Sequence, residues 1–330
     1  MKHPLPSSKH SVGFALVSAV LLAALATTFV VLVNMQAGFR LSTTENQLAL
    51  SQAQSSARGV IDFGRAALLE DQKLDKHKNP AIDALNEIWA QALPTLPVEN
   101  GTVEGTVTDA QGLINLNNLG LSGSHADVEL IKNLFAQLQI DPNLANSLKD
   151  WVDKDDEVSL PGGAEDIDYL GMTHARRAAN RPMVDINELI RVRGFTSEIV
   201  DKLRPFVTAL PVHTPININT APAPVLAILF QLSDDEANQI TVLRAERPFV
   251  SNSDLLERAP SEVAEHLLNP RASDPSTVPK FPVDWSISSS FFQIHARASY
   301  GQVHYGLTAL TQRNPSLSLP AILWERRTLF

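Results

Sequence analysis

The chain has 330 residues, which is enough for two compact domains beside any membrane anchor. Apolar residues make up 44% and charged residues 19%, a composition that is ordinary for a folded protein, so disorder is not the default. Lys and Arg number 27 against 36 Asp and Glu, a net charge of -9 that argues against binding to a nucleic-acid backbone. The absence of cysteine excludes disulfides, thiolate catalysis and Cys-ligated zinc.

The first predicted element is a helix that crosses a membrane. Phe14 to Met35 is a run of 22 residues without a charged side chain, and about 20 apolar residues cross a hydrocarbon core of about 30 Å. Lys2 and Lys9 precede the run, so the positive-inside rule predicts a cytoplasmic N-terminus and translocation of everything after Arg40. A cleaved secretory signal is the alternative, but its apolar core is normally about 7–15 residues long.

The same helix is predicted to continue beyond the membrane to about Glu70, because no proline occurs between Pro6 and Pro80. Apolar side chains recur in this part at spacings of three and four, which is typical of one apolar helix face. A sheet or a second domain must cover this face. Its members are Leu41, Leu48, Ala49, Ala53, Ala57, Val60, Ile61, Gly64, Ala67 and Leu68.

The start of the apolar run, Gly13-Phe14-Ala15-Leu16-Val17, resembles the signal of type IV pilins and pseudopilins. The resemblance implies that a prepilin peptidase cleaves between Gly13 and Phe14 and methylates the new N-terminus. The fifth position after cleavage is usually glutamate in that family, whereas Ser18 stands here. A carboxylate in hydrocarbon is costly unless a cation pairs with it, and that glutamate is thought to pair with the terminal amine of the subunit above. Ser18 therefore indicates either a topmost subunit or a plain anchor.

The body of the chain contains strand patterns on both sides of a helical block. Residues 83–90 predict a short amphipathic helix with Trp89 packed inward. Alternation over 102–109 predicts a strand, and 113–119 predicts an extended stretch in which Asn115, Asn117 and Asn118 cap turns.

The pattern from about Ser122 to Leu268 is helical. After Pro282 the alternation returns, with a hairpin of 286–299 and 302–311 that turns at Tyr300-Gly301, and a last strand over 321–328. A helical block therefore interrupts an α/β domain, as happens where the ends of an inserted domain lie close together.

This architecture resembles that of the minor pseudopilin K family of type II secretion. The resemblance implies an α+β fold, in which a type IV pilin-like domain with a long N-terminal helix and an antiparallel sheet carries a large inserted all-α domain. The recurring segments that carry it are DALNEIWA (83–90), DAQGLINLNNL (109–119), LKDWVDKDDE (148–157), GGAED (162–166) with Tyr169, DINELIRVRGFTSEIVDKLRPFVTALP (185–211) and ININTAPAPVL (216–226).

The implied division is a leader at 1–13, a membrane-spanning part at 14–35, a first pilin-like part at 36–120, the inserted domain at 121–282 and C-terminal strands at 283–330. This family characteristically lacks the glutamate, which accounts for Ser18.

Residues 150–168 form an acidic loop with eight carboxylates, opposed only by Lys154. Carboxylates at this density repel one another unless a cation lies among them, and all-oxygen ligation suits calcium. The loop is no EF-hand, because it lacks the glycine at the sixth position and the glutamate at the twelfth. A solvated acidic loop is the alternative interpretation.

The family resemblance implies a structural calcium in the helical domain. The ligands carried over are Asp153, Asp155, Glu165 and Asp166, followed by Glu157 and Asp150. Calcium would neutralise the loop and stabilise the helical domain by mass action.

Residues 185–211 and 216–257 resemble two helix-hairpin-helix units, which in other proteins grip DNA phosphates through glycine turns. Gly194 keeps part of that turn, but the second copy has Gln231 followed by Asp234, Asp235 and Glu236. Phosphate would be repelled there, so we expect a scaffold and no nucleic-acid partner.

Enzyme motifs are absent from the sequence: there is no nucleophile elbow, no phosphate-binding glycine loop and no metalloprotease His pair. We therefore expect a non-enzymatic protein. The alternatives are a membrane-anchored calcium-dependent hydrolase and a DNA-binding helix-hairpin-helix protein.

The resemblance implies a minor pseudopilin in the inner membrane, with its globular part in the periplasm. It implies a cap at the pseudopilus tip that helps to start assembly. The expected partners are the minor pseudopilins I and J, the pseudopilus shaft and the prepilin peptidase, with the secretin and the secreted cargo as further candidates.

Overall fold

The computed structural model describes residues 11–76, 78, 80–121, 125–261, 263, 264 and 284–328. Its first element, α1, is a single helix of 65 residues at Ser11–Asp75, about 98 Å long at 1.5 Å per residue. The prediction of one continuous helix through and beyond the apolar run is confirmed. Leader residues 1–10 and the predicted domain boundary at 282/283 lie outside the described residues.

Five antiparallel strands form one sheet in the order β1-β2-β7-β8-β9. Strands β2 and β7 are neighbours paired from Gly101↔Tyr300 to Asp109↔Phe292, although about half of the chain separates them. The predicted hairpin and last strand are confirmed, except that β7 starts later than the pattern indicated. The strand bounds are β1 Leu93–Val98, β2 Gly101–Asp109, β7 Phe291–Tyr300, β8 Val303–Gln312 and β9 Ala321–Thr328.

The second half of α1 packs across this sheet through small and branched side chains. Ala53, Ala57 and Ile61 are buried against β7 and β8, and a Cβ atom on Gly64 would lie 2.9 Å from Ile294 Cγ2. The apolar stripe is therefore confirmed over this stretch. It was wrong for Leu48, which is 59% exposed because it precedes the part of α1 that the sheet covers.

A buried arginine fastens the C-terminal end of α1 to the sheet. Arg313, which follows β8, lies 2.6 Å from both Asp71 in α1 and Asp83, and its guanidinium stacks 4.6 Å above the Phe292 ring. The second oxygen of Asp83 accepts a hydrogen bond of 2.7 Å from the backbone N–H of Ser289. This end of the helix thus lies beside the start of β7.

The predicted helix at 83–90 was wrong in extent. Only Ile88–Ala90 forms a 3-10 turn, because Asp83 N is already bonded to the carbonyl of Ile287. The inward position of Trp89 is confirmed: the ring is 1% exposed, and its Nε1 donates to Glu87 Oε2 at 2.8 Å.

Between β2 and β7 the chain forms a helical domain with its own core, and the prediction of a helical block is confirmed. Among the described residues its helices are α2 Asn118–Leu121, α3 His125–Gln137, α4 Leu144–Val152, α5 Asp166–Leu170, α6 Ser197–Leu203, α7 Ala223–Phe230, α8 Asp234–Glu246 and α9 Asn252–Arg258, with a 3-10 turn at Ile186–Arg191.

Two short parallel ladders frame this domain. Strand β3 (Ile114–Asn115) pairs with β4 (Val207–Thr208), and β5 (Ile216–Asn217) pairs with β6 (Trp285–Ser286). Residues 110–120, which the sequence placed with the pilin-like part, therefore pair and pack with the helices. The predicted turn capping is confirmed, since Asn115 Oδ1 accepts from Asn117 N at 3.2 Å.

The helical domain is an internal duplication that extends further than the two hairpin units indicated by the sequence. In the first copy Asn117 clamps the backbone of Met183, which donates to Asn117 Oδ1 at 2.8 Å and accepts from Nδ2 at 2.9 Å. In the second copy Asn219 clamps Phe249 in the same way, at 2.9 Å for both bonds. The pattern Ile-Asn-X-Asn that opens each copy was visible in the sequence.

The residues after each clamp also correspond. The first copy reads Arg-Pro-Met-Val over 181–184 and the second reads Arg-Pro-Phe-Val over 247–250. Arg181 pairs with Glu188 at 3.4 Å, and Arg247 pairs with Asp254 at 2.7 Å. These two ion pairs belong to the duplicated framework.

The hairpin turns have a structural role in both copies. Gly194 adopts a φ of +86° before α6, and Gln231 adopts a φ of +56° at the end of α7. Ser233 then caps α8 by accepting from Glu236 N. Three acids at the start of α8 stabilise the helix through its dipole, and they repel phosphate.

Burial at the α1 end gives a pH-dependent stability. Desolvation raises the pKa of Asp83 to about 7, against the opposing effect of Arg313. An acid whose pKa is raised by folding stabilises the fold below its unfolded pKa and loses that contribution as the pH rises. We expect stability to fall between pH 4 and 7.5, with Asp83 contributing up to about 4 kcal/mol. Urea unfolding across this range should show that the free energy of unfolding depends less on pH in Asp83→Asn than in the wild type. The exposed Glu99→Gln control should keep the wild-type dependence on pH. The same dependence in all three proteins would contradict this account.

Candidate functional site

Within the acidic loop, residues 153–165 fold back on α4 through hydrogen bonds from α4 side chains. Asn146 Nδ2 donates to the carbonyl of Pro161 at 2.7 Å, and Ser147 Oγ donates to that of Gly162 at 2.6 Å. Lys149 Nζ donates to Ser159 Oγ at 2.9 Å. The amphipathic pattern of α4 thus positions the loop as well as the helix.

Asp150 organises this loop from inside. Its carboxylate is fully buried and accepts from Ser159 N at 3.0 Å and from Ala164 N at 2.8 Å. A Cβ atom on Gly163 would lie 2.2 Å from Asp150 Oδ2, so the close approach of the two chain segments requires glycine there. The oxygens of Asp150 are therefore engaged by the protein itself.

Three of the predicted ligands meet at one point. Asp153, Asp155 and Glu165 each offer a carboxylate oxygen, and these atoms lie within 4.8 Å of one another. Asp153 is 6% and Glu165 4% exposed, and all four of their side-chain oxygens lack a hydrogen-bond partner among the described residues. The cation beside them is Lys149, whose Nζ lies 3.5 Å from Asp153 Oδ2.

The electrostatics of this cluster are unbalanced. Burial, together with the charge of Asp155, raises the pKa of Asp153 to about 6. Burial and the charges of Asp150 and Asp153 raise the pKa of Glu165 to about 7. Buried carboxylates without donors cost free energy unless a cation or a proton neutralises them. Oxygen ligands of this number and charge fit a hard divalent cation such as calcium.

The other predicted ligands are placed differently. Asp166 Oδ1 accepts from Ala178 N at 2.9 Å, and its other oxygen lies 3.6 Å from Arg177. The side chain of Glu157 is exposed, and its backbone N–H donates to Asp155 Oδ1. The sequence reading missed Asn180, which donates to the carbonyl of Asp155 at 3.2 Å and whose Oδ1 is buried without a partner among the described residues. It lies too far along the chain for spacing to reveal it.

A second acidic group, at the end of α1, differs in its charge balance. Asp71, Asp75 and Glu87 also place oxygens within 4.8 Å of one another. Arg313 lies 2.6 Å from Asp71, and Lys78 lies 2.6 Å from Asp75. The chain itself therefore supplies the cations at this group.

The membrane-spanning part of α1 is Phe14–Gln36, a stretch long and apolar enough to cross a bilayer, with side chains that the rest of the protein leaves uncovered. Ser18 Oγ donates to the carbonyl of Phe14 at 2.9 Å. The hydroxyl is thus satisfied within its own helix. The predicted cleavage point between Gly13 and Phe14 lies within the first turns of α1.

The fold and the sequence both match one family of proteins. Family models described as type II secretion system protein K match residues 112–212 and 216–273, which are the two copies of the duplicated helical domain. Type II secretion system protein K of Pectobacterium carotovorum subsp. carotovorum is 30% identical over 252 residues, covering 72% of this chain and 75% of the relative. The Klebsiella pneumoniae protein is 31% identical over 249 residues, covering 71% and 75%.

The protein K of Pseudomonas aeruginosa is 28% identical over 309 residues, covering 91% of this chain and 88% of the relative. A chain of the crystal structure of the GspK-GspI-GspJ complex from enterotoxigenic Escherichia coli superposes with a TM-score of 0.69 at 24% identity, covering 87% of this chain and 99% of that one. The fold is a pilin-like α+β domain with an inserted helical domain. The chain belongs to the type II secretion system protein K family and acts as a minor pseudopilin, a membrane-anchored structural component of that system.

Two glycines offer a matched test of the loop. Gly163→Ala should lower the free energy of unfolding by about 2 kcal/mol or more, because the new Cβ collides with Asp150 and with the Ser159 backbone. Gly59→Ala should leave it unchanged or raise it by up to about 1 kcal/mol, because its Cβ meets nothing within 4 Å and alanine favours the helix. Urea unfolding checks both, and a tolerated Gly163→Ala would contradict this account of the loop.

Proposed function

We propose that this protein caps the tip of a periplasmic pseudopilus, where it associates with the minor pseudopilins I and J and helps to start assembly. The position of the helical domain carries this proposal. The domain leaves the sheet after Asp109 and returns before Phe291, beside the end of α1 that is remote from the membrane anchor. A large head at this end favours a place above the stack of helices. The solved GspK-GspI-GspJ complex, one chain of which has the same fold, supports the choice of partners.

Ser18 supports the same position. A subunit within the shaft docks beneath another subunit, and pairing of a buried carboxylate with a cation of the subunit above would favour this docking. The Ser18 hydroxyl is already bonded to the Phe14 carbonyl and demands no partner. The topmost subunit has no subunit above it, so it does not need a carboxylate at this position.

The orientation follows from the charges that flank the anchor. Lys2 and Lys9 precede the apolar run, so the N-terminus stays in the cytoplasm and the globular part faces the periplasm. Prepilin peptidase then cleaves between Gly13 and Phe14 from the cytoplasmic side and methylates Phe14. The uncovered side chains of Phe14–Gln36 suit insertion into lipid.

We further propose that calcium binds at Asp153, Asp155 and Glu165 and fixes the shape of the acidic loop. The buried oxygens of Asp153 and Glu165, which accept no hydrogen bond from the described residues, support this assignment. Asp150 positions the loop, and Asp166 holds the backbone of Ala178. The role is structural, because the ion would neutralise a loop that otherwise repels itself.

The tip position can be tested by labelling. The chain has no cysteine, so one cysteine introduced at the exposed Glu99 gives a label without background. We expect one label at a single end of each assembled pseudopilus. Ser18→Ala should give the same result, because the Ser18 hydroxyl bonds to the Phe14 carbonyl of its own helix. Labels repeated along the shaft would exclude a cap. The intact mass of the same membrane-extracted protein should lack residues 1–13 and carry one methyl group, and a retained leader would exclude the proposed processing.

Calcium binding can be tested by thermal unfolding of the full chain in detergent. Calcium at about 100 times its dissociation constant should stabilise the wild type by about 2.7 kcal/mol relative to a chelator. Asp153→Asn and Glu165→Gln should lose this increment without destabilising the metal-free protein, because each removes a repelling charge. The exposed Glu157→Gln is the matched control and should keep most of the increment. Indifference of the wild type to calcium would exclude the site.

A further inference from the structure

The helical domain carries a positively charged cavity of about 430 Å³ on an otherwise acidic protein. Its wall contains four arginines and one acid: Arg176, Arg177, Arg181, Arg191 and Glu188. Trp151, from α4, forms part of the same wall. This concentration of guanidinium groups is opposite in sign to the net charge of the chain.

Two buried N–H donors at this cavity have no acceptor among the described residues. Trp151 is 3% exposed and its Nε1 is unpartnered, as is the buried Nε of Arg176. Both side chains pack on Tyr169, with the Trp151 ring 5.1 Å and the Arg176 guanidinium 5.9 Å from the tyrosine ring. A buried donor without an acceptor costs about 1–3 kcal/mol. A ligand oxygen that approached these donors through the cavity wall would offset this cost.

Comparison of the two copies shows which charged residues at this cavity recur in both copies and which occur in the first copy only. Arg181 pairs with Glu188 as Arg247 pairs with Asp254 in the second copy, so this pair is common to both copies. The position of Arg191 is occupied by Glu257 in the second copy. Arg191 is exposed and forms no ion pair with the described part of the chain. The excess positive charge thus belongs to the first copy alone.

We propose that this cavity binds a carboxylate group of a ligand through Arg176, Arg191 and the indole N–H of Trp151. Guanidinium groups match planar carboxylates with paired hydrogen bonds. Two arginines at the rim already form ion pairs with carboxylates of the chain, where Arg177 lies 3.6 Å from Asp166 and Arg181 lies 3.4 Å from Glu188. The site does not depend on the tip position, and none of its three donors is among the proposed calcium ligands Asp153, Asp155 and Glu165.

The test follows the Trp151 indole resonance in the full chain, labelled with ¹⁵N-tryptophan in detergent and assigned through Trp151→Phe. Glutarate is the carboxylate probe, sulfate is the inorganic oxyanion, and sodium chloride matches the ionic strength at fixed calcium. We expect glutarate to shift this resonance saturably. Loss of one charged hydrogen bond, in Arg176→Gln or in Arg191→Gln, should raise the dissociation constant about tenfold or more.

The matched control is Lys202→Gln, which removes one positive charge from an exposed site of the same domain and should change the dissociation constant by less than about twofold. Arg191→Gln keeps the test decisive if Arg176→Gln fails to fold, because Arg191 is exposed. No saturable shift with glutarate, an equal shift with sodium chloride, tighter binding of sulfate than of glutarate, or equal weakening by Lys202→Gln would each overturn the proposal.

Discussion

The whole architecture depends on one buried carboxylate at the point where the helical domain joins the sheet. Asp109, the last residue of β2, accepts hydrogen bonds from Gln111 N, Asn217 Nδ2, Thr220 Oγ1 and Ser289 Oγ at 2.6–3.0 Å. Burial raises its pKa, and these donors oppose that rise. A single side chain thereby connects three segments: the start of the insertion after β2, strand β5 at the start of the second copy, and the residues that lead into β7.

The same junction connects to the anchor helix through a short chain of contacts. Ser289 donates its backbone N–H to Asp83, Asp83 pairs with Arg313, and Arg313 pairs with Asp71 in α1. The head is therefore fastened to the helix that holds the protein in the membrane. Buried pairs of this kind give a specific geometry more than net stability, since desolvation offsets much of the attraction.

The helical domain uses one framework twice and gives each copy a different surface. The asparagine clamps and the Arg–acid pairs recur in both copies. The first copy adds the acidic loop and the arginine cavity, whereas the second has acids at the start of α8. Keeping the buried asparagine clamps unchanged allows the surface charges to differ, because exposed side chains contribute little to folding.

The sequence by itself determined the anchor, the long helix, the strands at the C-terminal end and the acidic loop, because each follows from hydrophobic periodicity or charge density within one segment. Only the tertiary structure decided which carboxylates meet. Asp166 is held by Ala178 and Asp150 by its own loop, while Asn180 approaches from 25 residues beyond Asp155. It also decided that residues 83–90 form only the 3-10 turn at Ile88–Ala90 and no longer helix, since the Asp83 backbone bonds to Ile287 from the far side of the insertion. Such contacts join residues that are remote in the chain, so the local sequence pattern does not predict them.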